Sequence, residues 1–269
     1  MVADSVRRYA EAPAAFNPTV PEEMRFDDRR FFVFFGRNPS ITLVMRVLLE
    51  DQDVEAAVQA VRGIVKARGH RNACWSIGTS STPADLVERL LDCGLQPDDR
   101  AGNDVHTTAM VLNRGDLLDG STTAGARRVE SFDEFVQAAR IDRAAFGIDD
   151  GWDEWLESAP SLWERERSGL GPRVYLAFVE DEAVGCARAI FDPEAVLLLG
   201  GGVLEQSRGK GAYKALVLAR WEDARRAGTP ALAVHAGQMS RPILERLGFS
   251  RVAEITQLYD PATLPTARL

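Results

Sequence analysis

A short glycine-rich segment carries the residues best suited to chemistry in this chain. It reads "EQSRGKGAYKAL" and directly follows the apolar run "AVLLLGGGVL", which is typical of a buried strand. Arg208, Gly209, Lys210 and Gly211 combine two long cations with two residues that lack a Cβ atom. A helix N-terminus presents unpaired backbone N–H groups and the positive end of the helix dipole. Between a strand and a predicted helix, this segment is suited to bind phosphate; the alternative is an ordinary flexible turn.

Three familiar kinds of phosphate loop do not fit the segment. A Walker-type loop needs a hydroxyl after its lysine to hold Mg²⁺, but Lys210 is followed by Gly211 and Ala212. The dinucleotide pattern G-x-G-x-x-G fails at Lys214, which stands where the third glycine belongs. Kinase loops require H-R-D and D-F-G partners that the sequence lacks.

Composition limits the class of protein. The chain has 269 residues, of which 45% are hydrophobic and 27% charged, and its net charge is −8. We therefore expect no general binding to nucleic acid or to an anionic membrane. Cys74, Cys93 and Cys186 are far apart without a C-x-x-C pair, so we expect no disulfide framework, no metal site and a cytoplasmic location. Neither a secretory signal nor a run of about 20 apolar residues is evident.

The elements that would position the glycine-rich segment form two α/β halves. Hydrophobic periodicity predicts the order β-β-α-β-α-β for the first half and α-α-β-β-β-α-β-α-β for the second, whose last strand is "AEITQLYD". Ser131 and Glu134 predict a capping box on the first helix of the second half. We predict an arm over 1–28 with a short helix at Asp4–Ala10, a domain over 29–118, a linker over 119–127 and a domain over 128–269.

The two halves also share an order of elements. "IVKARGHRNACWSIGTSSTPADLVERLLDCGL" is similar to "WEDARRAGTPALAVHAGQMSRPILERLGF", including the "ER-L" step and the final glycine with an apolar residue. This similarity indicates a duplication, although any two α/β units share some of it.

The stretch "VLEQSRGKGAYKALV", with "SRPILERLGF" downstream, resembles the acyl-CoA-binding signature of the GNAT N-acyltransferase superfamily. The signature R/Q-x-x-G-x-G/A falls on Arg208, Gly211 and Tyr213, so its last position departs by carrying a tyrosine. The resemblance implies two GNAT-like domains in a tandem arrangement similar to that of mycothiol synthase. The implied fold class is α/β (α+β): each domain has a mixed, largely antiparallel sheet flanked by helices, and the C-terminal one has a splayed strand pair.

The resemblance also implies a site for acetyl-CoA or another acyl-CoA. Backbone N–H groups from Arg208 to Tyr213 would hold the pyrophosphate; this range contains Gly209, Lys210, Gly211 and Ala212. Val203 and Leu204 would bond the pantetheine arm as a strand does. Glycines in a strand mark a bulge or a close approach, so the run 200–202 fits a ligand along this strand. The tyrosine would place a side chain beside the pyrophosphate.

The first half lacks these features. Where the second half has its glycine-rich segment, the first has "EDQDVEAA", with Glu50, Asp51, Asp53 and Glu55 and no glycine. These carboxylates would repel a diphosphate, and they also suit the first turn of a helix. We infer a degenerate GNAT-like domain that does not bind CoA.

The catalytic groups common in the family are missing. No carboxylate lies between Ala195 and Leu204, and Leu244 in "ILERLGF" stands where the family carries its tyrosine acid. Glu205 would lie nearer the phosphates than the reacting carbonyl. We therefore name His235 as the candidate base and Tyr259 as the candidate acid, with Tyr213, water or an unassisted thiolate as alternatives.

The acceptor is expected to be an amine on a small molecule, and a protein or peptide amine is the alternative. Acids in "IDDGWDEW" could receive a cationic amine between two tryptophans, or be a solvated charge run; they are Asp149, Asp150, Asp153 and Glu154, with Trp152 and Trp155. Another class of function is a non-catalytic acyl-CoA sensor. The oligomeric state stays open, and four residues are expected to be structural: Cys74, Trp75, His70 and His106.

Overall fold

The computed structural model of the chain describes residues 2–100, 103–113, 122–229 and 231–264. The helices of these residues are α1 (Asp4–Glu11), α2 (Pro13–Phe16), α3 (Val54–Ala67), α4 (Leu86–Asp92), α5 (Phe132–Phe146), α6 (Trp152–Arg167), α7 (Ala212–Arg226) and α8 (Arg241–Arg246). The strands are β1 (Arg25–Asp27), β2 (Phe32–Phe35), β3 (Thr42–Met45), β4 (Ala73–Gly78), β5 (Gln96–Pro97), β6 (His106–Leu112), β7 (Gly125–Arg128), β8 (Arg173–Val179), β9 (Glu182–Phe191), β10 (Val196–Val203), β11 (Leu232–Ala236) and β12 (Ser250–Tyr259).

The chain divides into two compact units. The first unit contains Met1–Met110, His235–Ile243 and Arg251–Leu269, and the second contains Val111–Val234 and Leu244–Ser250. Strand β12 therefore lies mainly in the first unit, although its sequence position suggested the second half. Its backbone pairs antiparallel with β4, from Ile255 opposite Gly78 to Tyr259 opposite Cys74, and this ladder holds the last strand there.

The first unit has a mixed sheet with helices on both faces. Its strands follow the order β1-β2-β3-β4-β12, β5 pairs with β12, and β3 and β4 are parallel. On one face Trp75 and Val44 pack against Val58 of α3. On the other face Phe32 and Met45 pack with apolar residues of α2. The strand–helix–strand unit β3-α3-β4 places its two strands in parallel.

The N-terminal arm is an integral part of the first unit. Helix α1 confirms the short helix predicted there, but Tyr9 and Ala10 are fully buried, so the segment does not project as an arm. The Glu11 carboxylate accepts hydrogen bonds from the Ser80 N–H (2.7 Å) and hydroxyl (2.8 Å). The sequence analysis missed α2 and β1 because their few apolar residues gain stability only against the sheet.

The second unit also has a mixed, largely antiparallel sheet. Its strands follow the order β11-β10-β9-β8-β7, with β10 and β11 parallel and the other neighbours antiparallel. Leu176 and Cys186 pack with Phe135 of α5, whereas the Tyr175 hydroxyl on the opposite face donates to Asp223 of α7 (2.7 Å). The helices therefore cover both faces.

Two expectations about the start of the second unit have different outcomes. The Ser131 cap is confirmed, because its hydroxyl accepts from the Glu134 N–H (3.2 Å). The reciprocal half of the capping box is displaced by one residue: the Glu134 carboxylate accepts from the Glu130 N–H (2.8 Å) and not from the Ser131 N–H. The predicted linker is wrong over residues 125–127, which belong to β7, because their backbone pairs with β8. Residues 119–121 of that linker lie outside the described residues.

A buried ion pair secures the end of β12 in the first unit. The fully buried Asp260 carboxylate accepts from Arg62 of α3 at Nε (2.7 Å) and Nη2 (2.9 Å).

Replacing Asp260 with alanine leaves the Arg62 guanidinium without its acidic partner, so we expect a loss of about 3 kcal/mol in the free energy of unfolding. Urea unfolding followed by tryptophan fluorescence measures it. The control is Arg225→Gln, which removes an exposed pair with Glu222 and should cost less than about 1 kcal/mol; equal losses would contradict this role.

Candidate functional site

The glycine-rich segment forms a tight loop between β10 and α7. After a 3-10 turn at Glu205–Ser207, Gly209 has a φ of +79° and Gly211 a φ of +85°. Residues with a Cβ rarely adopt this left-handed region, so the loop conformation requires both glycines. A Cβ on Gly211 would also lie 2.2 Å from the Thr122 hydroxyl oxygen, whereas one on Gly209 would meet nothing within 4 Å. The space around Gly209 is therefore open.

The loop leaves the N-terminus of α7 positively polarised. Gly211 is the N-cap residue, it provides no side-chain cap, and the first turn contains no acidic residue. Arg208 and Lys210 are exposed on the same loop. Uncapped N–H groups, an uncompensated helix dipole and two nearby cations together favour an anion.

Strand β10 loses one of its neighbours before it reaches the loop. It pairs with β9 as far as Val203, but among the described residues it pairs with β11 only at Val196 and Leu197. The edge from Leu198 to Val203 is outside that ladder. This confirms the splayed strand pair that the sequence analysis expects in this half.

Three glycines allow α5 and α7 to approach β10 closely. The register with β9 shifts between Leu199 and Gly202, and Gly200 has a φ of +40°, so the expected bulge is present. A Cβ on Gly202 would lie 2.7 Å from the Ala145 Cβ, and one on Gly201 would lie 2.9 Å from the Tyr213 ring. Close packing by the protein itself therefore requires glycine at these two positions.

Tyr213 does not lie where the sequence analysis expected it. Its ring packs over Gly201, and burial raises the pKa of its hydroxyl. The tyrosine thus fills space between α7 and β10. Its contact with Gly201 explains how the loop tolerates this departure from the family signature.

The two residues expected to bond a pantetheine arm differ in their backbone partners. The Leu204 N–H donates to the Val184 carbonyl (2.9 Å), and the Leu204 carbonyl accepts from the Ser207 N–H (2.9 Å). Because backbone groups alternate between the two edges of a strand, the Val203 N–H and carbonyl point away from β9. The structure leaves Val203, and not Leu204, facing the open edge, where the Val203 carbonyl accepts from Arg208 Nε (3.4 Å).

A charged pair that the sequence analysis missed lies beside the bulge. Asp142 of α5 contacts Arg188 of β9 (Oδ2 to Nη2, 3.0 Å). A Cβ on Gly200 would lie 2.8 Å from Arg188 Nη2 and 3.5 Å from Asp142 Oδ1. The signal was present in the sequence, because Asp142 follows Ala138 by four residues and so lies on the buried face of α5.

A cavity of about 260 Å³ opens from this charged pair between α5, α6, β8 and β9. Its apolar walls include Phe135, Trp155, Leu162 and Val174. Trp152 stacks on Trp155 with ring centroids 5.1 Å apart. The four acids predicted on this side are exposed and do not line the cavity; they are Asp149, Asp150, Asp153 and Glu154.

The candidate base and acid both have partners within the first unit. His235 Nε2 lies 2.8 Å from the Ala10 carbonyl oxygen, which only accepts, so this nitrogen carries the hydrogen. Burial lowers the pKa of His235, which favours the neutral ring with an unprotonated Nδ1. The Tyr259 hydroxyl contacts Gln96 Oε1 (2.6 Å). Leu244, at the position of the family's tyrosine acid, is fully buried and has no titratable group, so this position supplies no acid.

Within the described ranges, no group of three or more His, Cys, Asp or Glu side chains could hold a metal ion. No helix in those ranges combines the length and apolar character needed to cross a membrane.

The fold is similar to that of solved structures at low sequence identity. No family profile matches the chain, and no curated protein sequence does. A GCN5-related N-acetyltransferase from Kribbella flavida matches with a TM-score of 0.71 and 18% identity over 95% of each chain. A tandem GNAT protein from the clavulanic acid biosynthesis pathway matches with a TM-score of 0.58 and 15% identity over 88% of this chain and 79% of its own.

A GCN5-related N-acetyltransferase from Sphaerobacter thermophilus matches with a TM-score of 0.59 and 16% identity, over 88% of this chain and 78% of its own. The chain therefore has the GNAT fold in a tandem arrangement, as the sequence predicts.

The close approach of Ala145 in α5 to Gly202 in β10 should contribute to the stability of the fold. Gly202→Ala places a Cβ against Ala145, so we expect a loss of about 1–3 kcal/mol in the free energy of unfolding. Adding Ala145→Gly removes the opposing Cβ and should recover part of that loss, as a favourable coupling in a double-mutant cycle. The control is Gly125→Ala, where a Cβ meets nothing within 4 Å. Equal stability of Gly202→Ala and Gly125→Ala would refute the contact.

Proposed function

We propose that the protein transfers an acetyl or other short acyl group from acyl-CoA, bound by the second unit, to an amine on a small molecule. One observation supports the proposal most directly: the loop Arg208–Gly211 leaves the N-terminus of α7 without a side-chain cap, and this loop directly follows the unpaired edge of β10. An anion site and an open strand edge in succession suit a molecule that joins a diphosphate to an amide-containing arm. The GNAT fold of the chain supports the same ligand.

The proposed contacts follow from the geometry of the loop and strand. N–H groups from Gly209 to Tyr213 hold the pyrophosphate; the Arg208 N–H, which the sequence analysis included, donates to the Glu205 carbonyl (3.2 Å). Arg208 and Lys210 add charge. Val203 bonds the pantetheine arm through its outward N–H, and its carbonyl becomes available when Arg208 turns towards the pyrophosphate. The open edge runs back from Val203 towards Leu198, so the acyl end of the arm lies near the glycine bulge.

The reaction forms a C–N bond between the amine nitrogen and the thioester carbonyl carbon. The C–S bond breaks and its electron pair leaves with the CoA thiolate. The proton that a neutral amine loses balances the proton that the thiolate gains, and an amine that binds as an ammonium releases one further proton. We propose His235 as the group that takes the amine proton, because burial keeps its ring neutral, and Tyr259 as the donor to the thiolate. Strand β10 itself carries no carboxylate.

Gly209→Ala tests the loop with little change in side-chain volume. The positive φ of Gly209 makes alanine strained by about 1–2 kcal/mol, so the loop should shift and acetyl-CoA affinity should fall at least about tenfold. Gly228→Ala is the matched control, because Gly228 has a φ of +77° and open space at the other end of α7. Calorimetric titration with acetyl-CoA measures both. Equal affinities for the two variants would remove the loop assignment.

The same titration tests the first unit. The segment before α3 carries exposed Asp51 and half-buried Asp53 in a 3-10 turn, and exposed Glu55 lies in the first turn of the helix. These acids already compensate the helix dipole, so we propose that this unit binds no CoA. A stoichiometry of one acetyl-CoA per chain is expected, and two would contradict it.

His235→Gln tests the proposed base while keeping a donor for the Ala10 carbonyl. We expect kcat to fall about 100-fold with an unchanged KM for acetyl-CoA. In the parent chain the base must be unprotonated, and its pKa is lowered, so activity should persist at pH 7 and decline only below about pH 6.5. Thiol release measured across pH checks both, and an unchanged kcat would exclude His235. Tyr259→Phe tests the acid in the same assay.

Two alternatives stay open to experiment. Acylation of a protein or peptide amine would use the same CoA site with a different acceptor. A non-catalytic acyl-CoA sensor is favoured by buried Leu244 in place of an acid and by the lack of a carboxylate on β10. Thiol release with a panel of amines separates them: binding without turnover on any acceptor supports the sensor. The cytoplasmic location stays a prediction from the cysteine pattern.

A further inference from the structure

We infer that the cavity between α5, α6, β8 and β9, named here the α5–α6 cavity, receives a small apolar amino acid: a primary amine, a carboxylate and an aromatic or branched aliphatic body. This inference rests on the proposed function, since the cavity would supply the amine that the second unit acylates. All of its lining residues lie in the second unit.

The size and walls of the cavity indicate the body of the ligand. Pockets for drug-sized molecules are about 300–1,000 Å³, so a cavity of about 260 Å³ suits a molecule no larger than a single amino acid. Phe135 and Trp155 stack with their centroids 5.8 Å apart, and Leu162 and Val174 complete an apolar lining. Such walls favour an aromatic or branched aliphatic group.

The position of Asp142 indicates where the amine lies. Its carboxylate lines the cavity and also borders Gly200, at the bulge where the acyl end of the arm is proposed to lie. An ammonium group on Asp142 would therefore stand beside the thioester. Arg188 contacts this carboxylate through Oδ2, and Oδ1 accepts a long hydrogen bond from the Cys186 thiol (3.8 Å). A carboxylate oxygen has two lone pairs, so Oδ1 retains acceptor capacity for the ligand.

The remaining charges indicate a carboxylate on the ligand. Glu166, the other acid of the lining, is buried and bound to Arg128 (2.7 Å). Arg143 and Arg165 also line the cavity; they donate to the backbone carbonyls of Asp150 and Leu170, and neither has an acidic partner among the described residues. Two guanidinium groups that form no ion pair within the described ranges would disfavour a simple monoamine and favour an amino acid.

Titration of the full chain with L-phenylalanine, in the presence of CoA, tests the inference. Two analogues that each lack one charged group serve as comparison ligands: phenethylamine lacks the carboxylate and 3-phenylpropanoate lacks the amine. We expect each analogue to bind at least tenfold more weakly than phenylalanine. No binding of phenylalanine and of L-leucine, or equal binding of phenylalanine and phenethylamine, would overturn the inference.

Variants locate the site. Asp142→Asn should weaken phenylalanine binding at least tenfold and leave 3-phenylpropanoate binding nearly unchanged, because only the amine loses its partner. Ala139→Phe fills the cavity from a half-buried helix position and should abolish phenylalanine binding. This second variant still tests the site if Asp142→Asn does not fold. Glu157→Gln, an exposed acid of α6 outside the lining, is the control. Unchanged phenylalanine affinity in both Asp142→Asn and Ala139→Phe would refute the assignment.

Separate titration with acetyl-CoA keeps the two proposals distinguishable. Ala139→Phe should retain parent acetyl-CoA affinity, since Ala139 belongs neither to the loop nor to the contacts of the glycine bulge. If acetyl-CoA fails to bind the parent chain, the proposed function falls, while the phenylalanine titrations still judge the cavity. If acetyl-CoA binds and phenylalanine does not, only the cavity assignment falls.

Discussion

The unpaired edge of β10 is the constraint on which the rest of the second unit depends. A strand that loses a neighbour exposes backbone N–H and carbonyl groups, which are costly to bury without partners. In this unit β9 satisfies one edge to Val203, while pairing with β11 stops at Leu197 among the described residues. The open edge therefore needs water or a ligand, and it leads directly into the loop before α7.

Packing around the same strand makes room for that edge. The bulge at Gly200 and the close contacts at Gly201 and Gly202 bring α5 and the Tyr213 ring against opposite faces of β10. Side chains at these positions would push the helices away. The glycines thus couple the shape of the strand to the position of Asp142, which borders the bulge from α5.

The two units share a strand–helix–strand order, but the segments before the corresponding helices carry charges of opposite sign. Each contains a strand, a helix and a parallel strand, as β3-α3-β4 in the first and β10-α7-β11 in the second. Before α7 the loop has cations and two left-handed glycines; before α3 it has exposed acids. In the first unit the Glu11 carboxylate also lies against Gly78, where a Cβ would be 2.1 Å from its oxygen. The same order of elements therefore supports a proposed ligand site in the second unit and not in the first.

The sequence by itself determined the local features. The glycines and cations of the loop, the helix cap at Ser131, the tandem α/β order and the acids before α3 follow from residue types at short spacing, which act within one turn of chain. Tertiary structure alone decided that β12 pairs with β4 and that Val203 rather than Leu204 faces the open edge of β10. It also decided that Asp142 contacts Arg188 and borders Gly200. These depend on contacts between distant segments, whose partners hydrophobic periodicity cannot identify.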